Sequence, residues 1–376
     1  MPAPACDLIL LSWNHLEETR PCLESLFRTT TVPSRLLIVD NASEPPVRAY
    51  LRTIRPRGAI QEVLLLQNDT NEGFPRGMNR GIRASRAPYV CLLNNDLVFT
   101  EGWLDGLLAT AEAHPSVGVL NPTSNTFGSR PAPGVTLEQH AARLRAQGRG
   151  FVEVGMCTGF CMLMTRAVLD RVGLLSEEVD RCFFEDEDFS MRAQQAKFQC
   201  VVVAGAYVYH AEHRSVRALP EREALFRKNQ RWCQERWGRR LRLAWPRFAP
   251  AEPGSEELRG WCQRLTAWAR RRTHVYIFSP LPGGATRNSM FQSVGLVPHA
   301  DIRWFALPQP AARWAAIARI LARRKKRFDL LVAPEPPWGR LMDGLRWLHG
   351  ACIVPEPDED QLVAQWRRLS RSPSSS

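Results

Sequence analysis

No stretch of the 376-residue sequence is long and apolar enough to span a bilayer. The apolar run at residues 8–13 is too short and has no basic region before it, so it does not read as a signal peptide, and the expected location is the cytoplasm. Ten cysteines occur without one CxxC pair, and Cys91, Cys161, Cys200 and Cys352 lie inside apolar runs, where a thiol acts as a small hydrophobe. That usage fits a reducing compartment. Cys157 and Cys161 with His210 and His213 are zinc ligands by type, but their spacing matches no usual finger or ribbon. There is no internal repeat. No recognised nucleic-acid module is present either, so nucleic acid is not an expected partner despite a net charge of +12. The charge still predicts affinity for something anionic.

What is present is ordinary for a soluble globular chain, 44% hydrophobic and 23% charged, with length enough for two domains. Residues 89–93 are apolar without alternation and read as a strand buried on both faces, as in parallel sheets. Asn94, Asn95 and Asp96 follow at its carboxyl end, where open α/β sheets bind ligands. A carboxylate beside two amides suits a divalent cation carrying a phosphorylated ligand. Plain turn chemistry explains the same three residues. Strands at 7–12, 35–39, 62–66 and 89–93 alternate with helices at 17–27, 47–54 and 73–85, which predicts a parallel, doubly wound sheet with its polar strand ends along one edge. A helix at 103–113, a strand at 117–120, a loop at 123–133, a helix at 137–145 and a strand at 197–209 ending in His210 come next. Four consecutive acids, Glu185 to Asp188, open a helix at 189–196. Helix polarity favours acids there, but Phe183 and Phe184 precede them, and apolar walls raise a carboxyl pKa toward the range of a general base.

The chain at this point resembles the family 2 glycosyltransferases, inverting sugar transferases of GT-A fold, in particular the bacterial rhamnosyltransferase-like branch. The resemblance covers residues 5 to about 240 and rests on Ser12-Trp13-Asn14, Asp40-Asn41-Ala42-Ser43, Asn71 to Phe74 with Asn79 to Gly81, Leu92 to Asp96, Gly159 to Met162, Phe184 to Asp188, and His210, in that order. It implies a doubly wound, mixed but mostly parallel GT-A sheet. By this resemblance Asp96 would be the last acid of the metal motif and His210 a distant ligand of the same Mg²⁺ or Mn²⁺, with Asn94 in place of the first acid. Asp40 would read base and ribose, with Ser12, Trp13, Asn14 and Asn41 lining that pocket. Arg76, Asn79, Asn94 and Asn95 would face the donor's diphosphate or sugar. Asp186 would be the catalytic base, with Glu185 and Asp188 as alternatives. The implied reaction is hexosyl transfer with inversion from a dTDP- or UDP-sugar to a glycan or lipid-linked acceptor, in bacterial surface polysaccharide synthesis; the alternatives are transfer to a protein or a small natural product, or a catalytically inactive nucleotide-sugar binder.

Residues 221–243 read as one basic, tryptophan-bearing helix, suited to an anionic membrane surface or to packing on the core. The expected division is a transferase domain at 1–245, a linker and connecting helix at 246–272, a smaller α/β domain at 273–366 and a disordered tail at 367–376. Residues 279–284 lack the GxGxxG spacing of a dinucleotide site. Residues 279–288 and 355–362 resemble fragments of the GT-B fold, and a role in acceptor binding or homodimer formation is the expectation for this region. Basic residues at 323–327 extend the predicted reversible contact with an acidic membrane.

Overall fold

A computed structural model of the chain describes residues 3–148, 150–211, 221–309, 311–323, 326–356 and 359–371. Two compact units divide it, one of residues 1–152 and 156–233, the other of 153–155 and 234–376.

In the first unit β1 (Cys6–Ser12), β2 (Ser34–Asp40), β3 (Ile60–Gln67) and β4 (Tyr89–Asn94) pair in parallel. Leu8, Ile9, Leu10, Leu36, Leu37, Ile38 and Leu92 are fully buried, as continuous apolar strands covered on both faces must be. β5 (Leu97–Phe99), β6 (Val117–Thr123), β8 (Cys161–Thr165) and β9 (Gln199–His210) complete the order β3-β2-β1-β4-β8-β6-β9-β5, and β7 (Phe151–Glu153) adds to β9. β8 runs antiparallel to β4 and β6, and β5 antiparallel to β9. The sheet is therefore mixed and mostly parallel, as expected. Helices α1 (Leu16–Thr29), α2 (Pro45–Leu51), α3 (Gly73–Ala84), α4 (Trp103–Ala113), α5 (Leu137–Ala146), α6 (Arg166–Val172) and α7 (Glu185–Gln195) connect the strands. Gly77 and Gly81 let α3 lie against β1, because a Cβ at either would strike Leu11 or Ile9.

One buried ion pair fastens this sheet. Arg35 on β2 donates from Nε and Nη2 to Asp7 on β1 at 2.7 and 3.0 Å, and the Arg86 and Ala87 N–H groups donate to the same carboxylate. Burial pushes the Asp7 carboxyl up, but these hydrogen bonds outweigh it and hold the pKa below its ordinary value. That stabilisation is present above the ordinary carboxyl range and lost as pH falls through the lowered folded value. Asp7→Ala should destabilise the chain by about 3–5 kcal/mol, because it leaves a buried guanidinium with only the partly exposed Glu62, 3.6 Å away, as its charge partner. Urea unfolding at neutral pH measures it.

The second unit departs from the expected boundaries. The basic helix ends at Trp237, where Gly238 turns left-handed at φ 76° and its N–H bonds to Gln234 O. Residues 241–246 then form β10 (Leu241–Pro246), the middle strand of a second, all-parallel sheet of order β12-β11-β10-β13-β14. The other strands are β11 (Thr273–Ser279), β12 (Ile302–Ala306), β13 (Leu330–Ala333) and β14 (Cys352–Pro355). The first unit thus stops near residue 233, and the stretch before 246 belongs to its neighbour. The arginines hid this strand: Leu241, Leu243 and Trp245 are buried, while Arg239 pairs with Asp329 at 2.8 Å. Residues 367–370 of the expected tail lie in the helix Glu359–Ser370, whose Leu362 is buried and whose Trp366 Nε1 donates to Thr273 Oγ1. Residues 372–376, His213, and Arg324 with Lys325 of the basic run lie outside the described residues.

Candidate active site

The carboxyl ends of β1 and β2 build one rim. Asn14 and His15, just after β1, are left-handed at φ 56° and 53°. The Asn14 N–H donates to Ser43 Oγ, and Asn14 Oδ1 accepts from the Glu44 N–H at 2.8 Å. Asp40, fully buried at the end of β2, accepts from the Ser43 N–H at 2.9 Å and from Gln67 Nε2 at 3.2 Å, with Arg48 3.6 Å away. Ser12 Oγ is buried with no hydrogen-bond partner among the described residues, and Trp13 beside it is half-buried. This rim can take a polar ligand edge.

Several expected ligand contacts instead hold the scaffold. Asn41 Nδ2 donates to Asn71 Oδ1 and Gly73 O, while its Oδ1 accepts from Asn68 Nδ2 and the Glu72 N–H. Asn79, fully buried, bonds Leu175 through both its donor and its acceptor and reaches Glu177 at 2.8 Å. Asn95 Nδ2 donates to Thr19 Oγ1. Arg76 is exposed and lies 3.8 Å from Glu177. Asn41, Asn79 and Asn95 therefore fix loops around the rim, because buried amides must satisfy their hydrogen bonds inside the protein.

Asp96 and His210 come together through a strand only three residues long. β5 pairs with β9 so that Leu97 stands opposite His210, which sets Asp96 Oδ1 3.2 Å from His210 Nε2. The His210 main chain is clamped by Asn125, whose Oδ1 accepts its N–H and whose Nδ2 donates to its carbonyl, both at 2.8 Å. Phe160 stacks on the imidazole, centroids 5.1 Å apart and planes 12° from parallel. The half-buried Asn94 gives its N–H to Phe160 O and receives the Cys22 thiol on its carbonyl. A carboxylate oxygen and an imidazole nitrogen converging at a shielded strand end fit Mg²⁺ or Mn²⁺. Among the described residues, the group of three potential ligands within 4.8 Å of one another is His15, Glu17 and Glu18 at the start of α1. Its acids sit where helix polarity favours them. In the zinc combination Cys157 is already engaged: its Sγ donates to Val119 O and Val201 O, and burial pushes its pKa well up.

The acids at the start of α7 divide into different tasks. Asp186 is half-buried, accepts the Gly159 N–H at 3.1 Å and the Glu187 N–H at 2.8 Å, and is pushed up to about 6 by burial. A carboxylate tuned this way can accept a proton near neutral pH. Glu185 is 6% exposed, its Oε2 has no hydrogen-bond partner among the described residues, and burial together with the negative Asp186 raises it well above the carboxyl range. Asp188 is fully buried against Arg192 at 2.8 Å, and that arginine also holds the carbonyls of Val172 and Leu174. Asp188 is a brace.

The loop before α7 is strained and strapped down. Arg181, Phe183 and Phe184 have φ of 54°, 74° and 75°, a conformation that costs non-glycine residues on the order of 1–3 kcal/mol each. Phe74 donates its N–H to Arg181 O, and Gly73 allows the approach, since a Cβ there would stand 2.7 Å from Arg181 Cα. The helix Arg222–Trp237 supplies the other straps. Asn229 Nδ2 bonds Asp180 O and Cys182 O, Lys228 pairs with Asp180 at 2.8 Å, Trp232 donates to Glu178, and Phe226 packs on Phe183 and Phe184. Trp232 and Lys228, expected at a membrane or on the core, thus hold the acid-bearing loop. Neighbouring residues Gly159 and Phe160 touch Asp186 and His210 respectively, so one turn of chain ties Asp186 to the Asp96–His210 pair.

The clamps Asn125 and Asn229 were missed as site residues. Asn125 falls in the loop at 123–133 and Asn229 in the basic helix, and an amide in either place reads as surface.

Residues 7–173 match the model of Glycosyl transferase family 2. An uncharacterised protein of Sinorhizobium fredii is 25% identical over 253 residues, covering 62% of this chain but only 28% of that protein's length. The low-salt glycan biosynthesis hexosyltransferase Agl10 of Haloferax volcanii is 24% identical over 211 residues, 52% of this chain and 66% of that one. Among solved structures, the mannosyltransferase PcManGT from Pyrobaculum calidifontis, in complex with GDP-Man and Mn²⁺, is similar over 98% of this chain and 86% of that one, with 15% identity and a TM-score of 0.45.

Proposed function

We propose that this chain, whose residues 7–173 match the model of Glycosyl transferase family 2, is a metal-dependent inverting glycosyltransferase of GT-A type that uses a nucleotide-diphosphate sugar. The observation that carries the reading is the pair Asp96 Oδ1 and His210 Nε2 at 3.2 Å, joined through Gly159 and Phe160 to Asp186, whose pKa stands near 6. Asp96 and His210 would hold a Mg²⁺ or Mn²⁺, which when bound supplies positive charge to the donor's diphosphate. The rim of Ser12, Trp13, Asn14 and Asp40 receives the nucleoside. Asp186 takes the proton of an acceptor hydroxyl while that oxygen forms its bond to the anomeric carbon and the bond from that carbon to the diphosphate oxygen breaks. Displacement from the opposite face inverts the anomeric centre. Half-burial keeps Asp186 basic without closing it from the acceptor.

The donor is a dTDP- or UDP-sugar and the acceptor a hydroxyl of a glycan or lipid-linked saccharide, in bacterial surface polysaccharide assembly. No helix among the described residues is long and apolar enough to cross a membrane, and the basic stretches allow a reversible contact with an acidic inner leaflet. A screen of nucleotide sugars with manganese tests the reading. A true donor held at 100 times its dissociation constant should stabilise the chain by about 2.7 kcal/mol, seen as a raised unfolding temperature. With the true acceptor, the product should carry the anomeric configuration opposite to the donor's by NMR. Retention would contradict single displacement.

A further inference from the structure

The second unit carries a feature that the catalytic reading leaves unused. A cavity of about 520 Å³ on one face of its sheet is lined by Arg242, His274, Tyr276, Arg303, Arg323 and Lys326. The strands assemble it: Arg242 on β10 stands beside His274 on β11, and Tyr276 on β11 beside Arg303 on β12. Arg323 stacks over the buried Tyr276 ring at 4.2 Å and over Phe328 at 5.1 Å, and Arg303 lies 5.7 Å from the same tyrosine centroid.

The nearby carboxylates are held by partners other than these cationic side chains: Asp301 pairs with His274 at 2.9 Å, and Asp329 pairs with Arg239 at 2.8 Å and accepts the Arg242 main-chain N–H at 2.7 Å. Among the described residues no carboxylate pairs with the side chain of Arg242, Arg303, Arg323 or Lys326, whereas Arg35, Arg192, Arg239 and Arg313 all have ion pairs. Like charges gathered around one cavity repel unless an anion sits among them. The end of the helix Ala312–Leu321 favours a following cation, which accounts for Arg323 but not for Arg242 and Arg303, which come from separate strands. A guanidinium stacked on an aromatic ring keeps its N–H edge free for a bidentate bond to phosphate. Two stacked guanidinium groups, Arg303 and Arg323, with Arg242 and Lys326 on the same cavity, exceed what a single phosphate group needs.

We propose that this cavity is a binding site for a diphosphate group, formed by Arg242, Arg303, Arg323 and Lys326 over Tyr276. The diphosphate is carried either by a soluble compound or by the headgroup of a lipid. No residue of the site belongs to the candidate catalytic set, so the proposal stands independently of the transferase reading.

The test uses the full chain in EDTA, which silences metal-dependent diphosphate binding. Inorganic pyrophosphate is titrated calorimetrically, and in parallel the protein is sedimented with phosphatidylcholine vesicles with and without a long-chain alkyl diphosphate. Saturable pyrophosphate binding, weakened at least about tenfold by the double substitution Arg303→Gln/Arg323→Gln, is the expected result for a soluble source. Sedimentation only with the alkyl diphosphate vesicles, lost in the same variant, assigns the diphosphate to a lipid. Lys326→Glu, on the exposed rim, should weaken either binding without lowering the unfolding temperature and so excludes a folding defect. No saturable binding in either arm, or binding of unchanged strength in both variants, overturns the proposal.

Discussion

Asp186→Asn is expected to lower turnover by about three orders of magnitude while the dissociation constant for the donor changes less than about threefold. The amide keeps the shape of the carboxylate and can still accept one of the N–H bonds from Gly159 or Glu187, but it cannot take a proton. In the wild type, burial pushes the Asp186 carboxyl up to about 6, so the deprotonated, active form accumulates as pH rises through that value. Turnover should therefore climb between about pH 5 and 7 and then level off. The residual rate of Asp186→Asn should be flat over that window. Glu185→Gln should keep the wild-type pH profile; if it flattens the profile and Asp186→Asn does not, the base is Glu185. Single-turnover kinetics with pre-bound donor separates the chemical step from binding.

Asp96→Ala and His210→Ala form the second large expectation, a loss of metal-dependent nucleoside diphosphate affinity by more than about 100-fold. Outer groups that merely orient metal ligands are worth about 10–100-fold in metal affinity, and direct ligands must exceed that. Phe160→Leu, which removes the ring stacked on His210, and Asn125→Ala, which frees the His210 main chain, should fall within that lower range. Calorimetric titration of UDP and dTDP with and without manganese gives these values. Equal affinity in EDTA and manganese for the wild type would remove the metal role from the pair. In the double variant the two losses should not add, because the residues would share one ion.

The alternation of apolar runs with amphipathic ones made the β1 to β4 half of the sheet readable, since β1, β2 and β4 are largely buried on both faces and even the partly buried edge strand β3 keeps an apolar run. The mixed half was harder. β5 has three residues, too few for any periodicity, yet it alone sets Asp96 beside His210. The chain order of those two residues was legible and their separation was not. Asn41, Asn79 and Asn95 show the reverse problem: an amide looks the same in sequence whether it faces a ligand or ties a loop, and only its partners decide. The arginines of residues 239–242 concealed β10, because charge on a strand's flank reads as a helical surface until Leu241, Leu243 and Trp245 are seen inside a second core. Helix Glu359–Ser370 was hidden by the serine-rich end that follows it, although Leu362 and Trp366 already gave it an apolar face.

The most direct measurement is release of nucleoside diphosphate from a panel of nucleotide sugars by the full chain with manganese, repeated in EDTA and with Asp186→Asn. Release from at least one donor, abolished by EDTA and reduced by about three orders of magnitude in Asp186→Asn while UDP or dTDP still binds that variant, is the predicted result. Release that persists unchanged in EDTA, or in Asp186→Asn, would contradict a sugar transfer organised by Asp96, His210 and Asp186.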